Sequence, residues 1–252
     1  MLSTPRIRRL HRLLGVVIGA QVLLWTASGI YFAWSDIDEI HGDHLKARPK
    51  ATAFEPDWVS PGKIDFSAAS LARPSHLKSL DIVEIEGEPH YRLRVANEAE
   101  ETAVILASAR SGIVRGPLRR EEAVSMARAS FAPDAEVLDV TWLAAEEIGP
   151  HHEYRGRPLP AWRVRFLHDS RTHIYVSANE AEVVTHRNRG WRIFDALWML
   201  HTMDFLGRDD FNNPLLRGVS VMALVMTLTG YVMWFRTRPR RRKQWWRVWR
   251  RR

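Results

Sequence analysis

His11 is the first side chain whose type and position could support chemistry. It lies just before the uncharged segment Leu13–Trp34, and Gly15 and Gly19 follow it at the spacing of one helical face. A neutral imidazole is a good ligand for haem iron, and the two glycines would permit close approach of another helix or of a flat ring. The alternative is that His11 only faces lipid headgroups and that the glycines serve contact between helices.

His201 is the second such side chain. The segment Trp191–Phe205 is predicted to be a helix, and Trp198, His201 and Phe205 fall on one of its faces together with further aromatic residues. That face combines an imidazole with a wide aromatic surface, which suits a haem site. The alternative is an aromatic belt at the membrane interface, with His201 hydrogen-bonded to a backbone carbonyl.

Paired histidines favour electron transfer because both axial positions of the haem iron are then filled. Helix bundles commonly build cofactor sites from inward-facing side chains of this kind. His11 and His201 are predicted to lie about a membrane thickness apart, so one haem b cannot bridge them. A homodimer would solve this problem, because two His11 side chains could hold one haem and two His201 side chains another. The four helices would then form a transmembrane electron path.

A third group of possible ligands follows the first hydrophobic segment. His41, Asp43 and His44 lie in an acidic, histidine-rich stretch that could bind a divalent metal or receive an iron complex. Their spacing is irregular, which favours the alternative of a solvated acidic helix end. The pair of histidines before Glu153 is expected to be exposed in a loop rather than bound to metal.

Composition narrows the function further. The chain has no cysteine, which excludes disulfides, cysteine-ligated iron–sulfur clusters and thiolate chemistry. The net charge of +8 comes from four arginines within residues 1–12 and ten basic residues within 236–252, whereas the rest is acidic overall. This distribution indicates membrane orientation rather than nucleic-acid binding. In the tail, Trp245, Trp246 and Trp249 would anchor at a lipid interface beside anionic headgroups.

Two segments have the length and composition of transmembrane helices. The first is Leu13–Trp34, which is read as an uncleaved anchor rather than a signal peptide because its apolar core is unusually long. The second runs from Pro214 to Phe235, with Asn213 as the expected N-cap. Basic residues flank the start of the first and the end of the second. The chain is therefore predicted to lie in the inner membrane with both termini in the cytoplasm. Residues 36–212 would lie in the periplasm of a Gram-negative cell.

The segment between them has the pattern of an α+β domain. Residues Tyr91–Arg115 and Trp162–Arg187 share an aromatic-Arg-x-Arg strand, a polar turn and a second apolar strand that ends in Ser-Ala, which forms a weak internal repeat. An amphipathic helix precedes the second copy and is expected to end before Pro133. A less regular helix is expected at Asp65–Ala72.

These motifs, in this order, resemble a known family. REEAVSMARASF, AEVLDVTW and AWRVRF are similar to a PepSY domain, and the first copy resembles a degenerate one. The segments HRLLGVVIGAQVLLWTASGIYF and NNPLLRGVSVMALVMTLTGYVMWF are similar to helices of the PepSY-associated transmembrane family. Larger members of that family include ferric-siderophore reductases that hold haem between membrane helices with histidines. The present chain departs from them in having only two spans.

The resemblance implies a membrane-anchored α+β protein, in which two transmembrane helices flank a periplasmic domain of two PepSY-like units, each a helix plus an antiparallel sheet. The implied function is haem-dependent electron transfer linked to reduction of ferric complexes, with a second copy or a membrane redox partner. The alternative is a sensor, regulator or accessory subunit that binds a peptide, a peptidase or a membrane partner. The expected divisions are 1–35, 36–117, 118–189, 190–212, 213–236 and 237–252.

Overall fold

The computed structural model describes residues 4–48, 57–68, 75–208 and 210–237. The chain divides into two compact units. The helical unit comprises Met1–Ala33 and Leu197–Arg252, and the sheet unit comprises Trp34–Ala196. The predicted anchoring tail and its three tryptophans lie outside the described residues.

Three helices contribute to the helical unit. These are α1 (Thr4–Trp34), α5 (Pro214–Thr237) and the C-terminal half of α4 (Arg189–Thr202). Both α1 and α5 are long and apolar enough to cross a membrane, and only 11% of the apolar window in α1 and 6% of that in α5 is buried. A core helix of a soluble protein would bury most of such a window, so the exposed apolar surface favours lipid contact.

The start of α5 follows its predicted cap. Asn213 Oδ1 accepts a hydrogen bond of 2.8 Å from the Leu216 backbone N–H, and Pro214 occupies the first helical position. The proline removes an N–H that would have no partner at this position, and the asparagine satisfies another.

The sheet unit begins with a short helix, α2 (Ile37–His41), and contains two four-stranded antiparallel sheets. The first sheet has the order β1 (His76–Ile85), β2 (Glu88–Ala96), β3 (Thr102–Ser108) and β4 (Val114–Arg115). In β2, Tyr91, Leu93 and Val95 are buried and alternate with half-buried arginines, as the sequence pattern predicts. In place of the helix expected at Asp65–Ala72, a single 3-10 turn spans Phe66–Ala68, and residues 69–72 lie outside the described segments.

The second sheet repeats this strand order with β5 (Val137–Leu143), β6 (Ala161–Phe166), β7 (His173–Ser177) and β8 (Glu182–Arg187). It is preceded by α3 (Arg120–Ser130), which ends before Pro133 as predicted. Because Ala123 and Ala127 of α3 are fully buried and pack with Phe131, Val164 and Ile174, the small residues let the helix lie close to the sheet. The same core also contains Ile85 and Leu106 of the first sheet.

The predicted aromatic helix is shorter than expected at its C-terminal end. Whereas the spacing of aromatic residues predicted a helix to Phe205, α4 ends at Thr202, and Met203 has a left-handed backbone with φ of 54°. Phe205 therefore lies beyond the helix with 44% of its surface exposed, and its inclusion in the aromatic face of His201 was wrong. A left-handed residue cannot continue a right-handed helix, so the aromatic spacing does not govern the chain beyond this point.

Candidate functional site

His201 is held against α1 by a serine. Ser28 is buried, and its Oγ lies 2.7 Å from His201 Nδ1. The same hydroxyl donates to the Leu24 carbonyl oxygen at 2.7 Å, one turn back along α1. A hydroxyl has one proton, so this bond leaves Ser28 Oγ to accept from His201 Nδ1–H. That tautomer leaves a free lone pair on Nε2, the form that a histidine needs as a metal ligand.

Aromatic side chains surround this histidine within the helical unit. The ring of Phe32 lies 5.5 Å from that of His201 and 5.8 Å from that of Trp198. Trp25 Nε1 donates to the His201 carbonyl oxygen at 2.8 Å, and Trp198 also contacts Phe211 edge-on at 5.3 Å. The predicted aromatic face is thus present at Trp198, but α1 covers part of it. His201 itself remains half-buried.

The polar residues after His201 serve the backbone rather than the histidine. Asp204 is buried, and its carboxylate accepts from the N–H groups of Leu206, Gly207 and Asp210 at 3.2, 2.9 and 2.9 Å. Asn213 Nδ2 donates to the Thr202 carbonyl oxygen at 2.9 Å, which ties the end of α4 to the start of α5. These bonds satisfy the backbone groups exposed where two helices end and begin.

His11 has the same kind of partner as His201. Its Nδ1 lies 3.2 Å from Thr229 Oγ1 on α5, and that hydroxyl donates to the Met226 carbonyl oxygen at 2.8 Å. Gly15 lies against α5 as well, because a Cβ added there would be 3.4 Å from Met226 Cε, whereas Gly19 faces open space. Only one of the two predicted glycines therefore contributes to a close helix contact.

The two histidines lie near opposite ends of α1. His11 belongs to α1, and the Ser28 partner of His201 is seventeen residues further along it, or about 25 Å at the rise of an α-helix. This distance agrees with the predicted separation, and it means that the two imidazoles of one chain cannot bind the same haem iron.

The possible metal ligands after α1 do not converge. Asp43 accepts from Lys46 Nζ at 2.5 Å, and this hydrogen bond lowers the pKa of the exposed carboxyl. His41 and His44 are exposed, and no group of three or more histidine, aspartate or glutamate side chains in the described residues could hold a metal ion. The geometry of His41, Asp43 and His44 therefore gives no support to a metal site here.

The family model for the PepSY-associated TM region matches residues 3–237. The chain belongs to this family. No curated protein and no solved structure matches it. Membership and the two exposed apolar helices together make this PepSY-associated chain a membrane protein in contact with the lipid bilayer.

The sheet unit of this PepSY-associated protein also contains a polar cluster that sequence reasoning missed. The Glu153 carboxylate accepts from Tyr175 Oη at 2.5 Å, from Arg192 Nε at 2.7 Å and from His173 Nδ1. Burial opposes ionisation of Glu153, but these three donors outweigh it and lower the pKa to about 2. The partners come from β7 and α4. The residues next to Glu153 in the sequence, among them His151 and His152, therefore could not predict the cluster.

Proposed function

We propose that this PepSY-associated membrane protein is a haem-binding component of a transmembrane electron-transfer path, in which His11 and His201 would hold the iron through Nε2. One observation carries the proposal. Each histidine directs Nδ1 at a hydroxyl, on Thr229 or Ser28, whose own proton is donated to a carbonyl of its helix. This arrangement favours the tautomer that leaves Nε2 free for iron.

The number of ligands favours a second copy. Each chain offers one imidazole near each end of α1, whereas a haem that serves electron transfer would be held by two imidazoles. Two chains side by side would pair His11 with His11 and His201 with His201. A bound haem b would supply one-electron transfer, and the protein would orient the imidazoles. Beside His201, the rings of Trp25, Phe32 and Trp198 would also keep water away.

The direction of the path follows from the basic ends of the chain. Arginine-rich ends are retained in the cytoplasm, so the sheet unit would lie in the periplasm of a Gram-negative cell. Electrons would pass from the His11 end to the His201 end and on to an acceptor outside. A ferric complex is the acceptor we propose, because larger members of the family include ferric-siderophore reductases; the chain would then serve iron acquisition. The electron donor would be a separate membrane redox partner.

The test is a reduced-minus-oxidised absorbance spectrum of the full chain purified from haem-replete cells. We expect a Soret band in the wild type, a weaker band in His11→Ala and in His201→Ala, and none in the double variant. His44→Ala is the matched control because His44 is exposed and lies outside the helical unit. A wild type without a Soret band, or a double variant with an unchanged band, would overturn the proposal.

A second function, binding of an extended peptide or a peptidase, has support of its own in β1. This strand of ten residues is the outer strand of the first sheet, and Leu80 and Ile82 on it are exposed. An outer strand with exposed apolar side chains can receive another strand by edge pairing. Crosslinking in cells, followed by comparison of Ile82→Lys with Leu167→Lys, tests this function. Capture of a partner that is equal in both variants would contradict it.

A further inference from the structure

A basic cavity of about 390 Å³ lies in the sheet unit beside β8. Three polar contacts hold the segments around this cavity in place. The Ala47 N–H donates to the Ser130 carbonyl oxygen at 2.9 Å, which places the segment after α2 against the end of α3. Ser130 Oγ lies 3.2 Å from His186 Nε2 on β8. Asn188, just after β8, donates to the carbonyl oxygen of Glu39 in α2 at 3.3 Å.

The charges that line this cavity are all of one sign. The titratable residues in its wall are His41, Lys46, Arg157, His186 and Arg187, and no carboxylate lines it. The Asp43 carboxylate does not line the cavity, but it accepts from Lys46 Nζ at 2.5 Å and so partly neutralises that lysine of the wall.

Both arginines in the wall of this cavity can contact a ligand. Arg157 is exposed and makes no hydrogen bond or ion pair with the described residues. Arg187 donates from Nε to the Glu153 carbonyl oxygen at 3.2 Å, and its guanidinium lies 3.7 Å from the centre of the Trp191 ring. Neither contact neutralises its charge, although the stacking fixes the plane of the guanidinium. Burial and then the neighbouring Arg157 lower the pKa of Arg187 to about 10, whereas the carboxylates of Glu153 and Asp195 act in the opposite direction.

A larger cavity in the sheet unit differs in that its cations are paired with carboxylates. It measures about 770 Å³ and is lined by Lys78, Arg94 and Arg115 among others. Each of these cations already has a carboxylate partner, at 3.2 Å from Glu100, 2.9 Å from Glu180 and 2.6 Å from Glu122 respectively. Of these two cavities, the smaller has a cation, Arg157, for which the described residues offer no carboxylate partner, whereas its Lys46 is paired with Asp43.

We infer that the cavity bounded by Lys46, Ser130, Arg157, His186 and Arg187 is a binding site for a phosphate group. The guanidinium group of arginine and the ammonium group of lysine recognise phosphate oxygens. The Ser130 hydroxyl bounds the cavity but already donates to the Ala127 carbonyl oxygen at 2.9 Å, so it is not counted among the donors. His186 also lines the cavity, but burial and the neighbouring Lys46 lower its pKa to about 4, so it is neutral at pH 7 and the positive charge of the wall comes from Lys46, Arg157 and Arg187. The volume exceeds that of a single phosphate ion, so the site can take a phosphorylated small molecule or a phospholipid headgroup. This site is independent of the haem proposal, since it lies in the other unit.

The experiment uses the full chain in a phosphate-free detergent. Titration with inorganic phosphate is followed by calorimetry, and retention of phosphatidylglycerol is followed by native mass spectrometry. The variants are Arg157→Gln and Lys46→Gln. The matched control is Arg120→Gln, which removes the same charge from an exposed position on α3 that does not line the cavity.

We expect saturable binding by the wild type, loss of at least about tenfold in affinity in Arg157→Gln, a smaller loss in Lys46→Gln and no change in Arg120→Gln. Saturation by inorganic phosphate supports a soluble phosphorylated ligand. Retention of phosphatidylglycerol that depends on Arg157, without saturation by inorganic phosphate, supports a lipid headgroup. Binding of neither probe, or equal losses in all three variants, would overturn the inference.

Discussion

At the scale of single residues, the two hydroxyls that face the histidines invite a direct test. Ser28→Ala removes the acceptor for His201 Nδ1–H while His201 itself remains. Loss of such an outer partner typically weakens metal binding by about 10- to 100-fold, because the tautomer and ring orientation are no longer fixed. We therefore expect Ser28→Ala to retain less haem on dilution and to shift the midpoint potential of the haem that remains, measured by redox titration.

Thr26→Ala is the matched control for this variant. Thr26 also lies on α1 and donates to a carbonyl of its own helix, at 2.8 Å from Val22, but it faces no histidine. If both alanine variants changed haem retention and potential equally, the effect of Ser28 would be a general effect on α1, and its role as a positioning residue would be wrong.

Glu153 makes the stability of the sheet unit depend on acid. Its pKa is about 2 in the fold and has an ordinary value of 4.5, so the folded state favours the ionised carboxylate. The resulting stabilisation is fully present above pH 4.5 and is lost as the pH falls from 4.5 towards 2, because the unfolded state then binds more protons. The size of the shift corresponds to about 3 kcal/mol of unfolding free energy.

We therefore expect Glu153→Gln to be less stable than the wild type at pH 7 by about 3 kcal/mol, because Arg192 loses its buried partner. The variant should also show a flatter dependence of stability on pH between 4.5 and 2. Urea unfolding followed by near-ultraviolet circular dichroism measures both effects. Glu136→Gln, at an exposed carboxylate, is the control. A wild-type slope in Glu153→Gln would contradict this role.

At the scale of elements, periodicity predicted those parts of the chain whose structure depends on nearby residues. The spacing of Ala123 and Ala127 predicted α3, and the alternation around Tyr91 and Trp162 predicted β2 and β6. The hydroxyl partners of His11 and His201 could not be found in this way, because each lies more than 170 positions away in the sequence. The partners of Glu153 lie 20 to 39 positions away, which is also beyond the reach of helix or strand periodicity, so the Glu153 cluster was missed as well.

The end of α4 shows where local spacing failed. Trp198 and Phe205 are seven positions apart and would share a face of a continuous helix, yet Met203 adopts a left-handed backbone before the second of them is reached. The bonds from Asp204 to three following N–H groups stabilise this turn. The prediction rested on the spacing of aromatic side chains alone. The end of the helix depends instead on backbone hydrogen bonds, which that spacing does not report.

This difference predicts unequal effects of two aromatic substitutions. Trp198 packs on Phe32 and Phe211, whereas 44% of the Phe205 surface is exposed. Trp198→Ala should destabilise the helical unit by about 1–3 kcal/mol through loss of two aromatic pairs. Phe205→Ala should have little effect. Thermal unfolding in detergent compares them, and an equal loss in both variants would show that Phe205 belongs to the same packed face.

At the scale of the whole molecule, the orientation of the chain in the membrane decides whether the proposed electron path can reach an external acceptor. In the proposed topology α1 and α5 both cross the membrane, so the basic ends would lie on one side and the sheet unit on the other. The basic residues at both ends favour the cytoplasm for the ends. The absence of cysteine makes this prediction easy to test, because any introduced thiol is the only one in the chain.

Glu98→Cys places a thiol at an exposed position of the sheet unit, and Gln244→Cys places one in the basic tail. We expect a membrane-impermeant maleimide to label Glu98→Cys in intact spheroplasts and to label Gln244→Cys only after lysis. The cysteine-free parent controls for unspecific labelling. The reverse pattern would put the His11 end of α1 outside and the His201 end inside. The proposed direction of electron flow would then be wrong, while the two haem sites themselves would remain to be judged by their spectra.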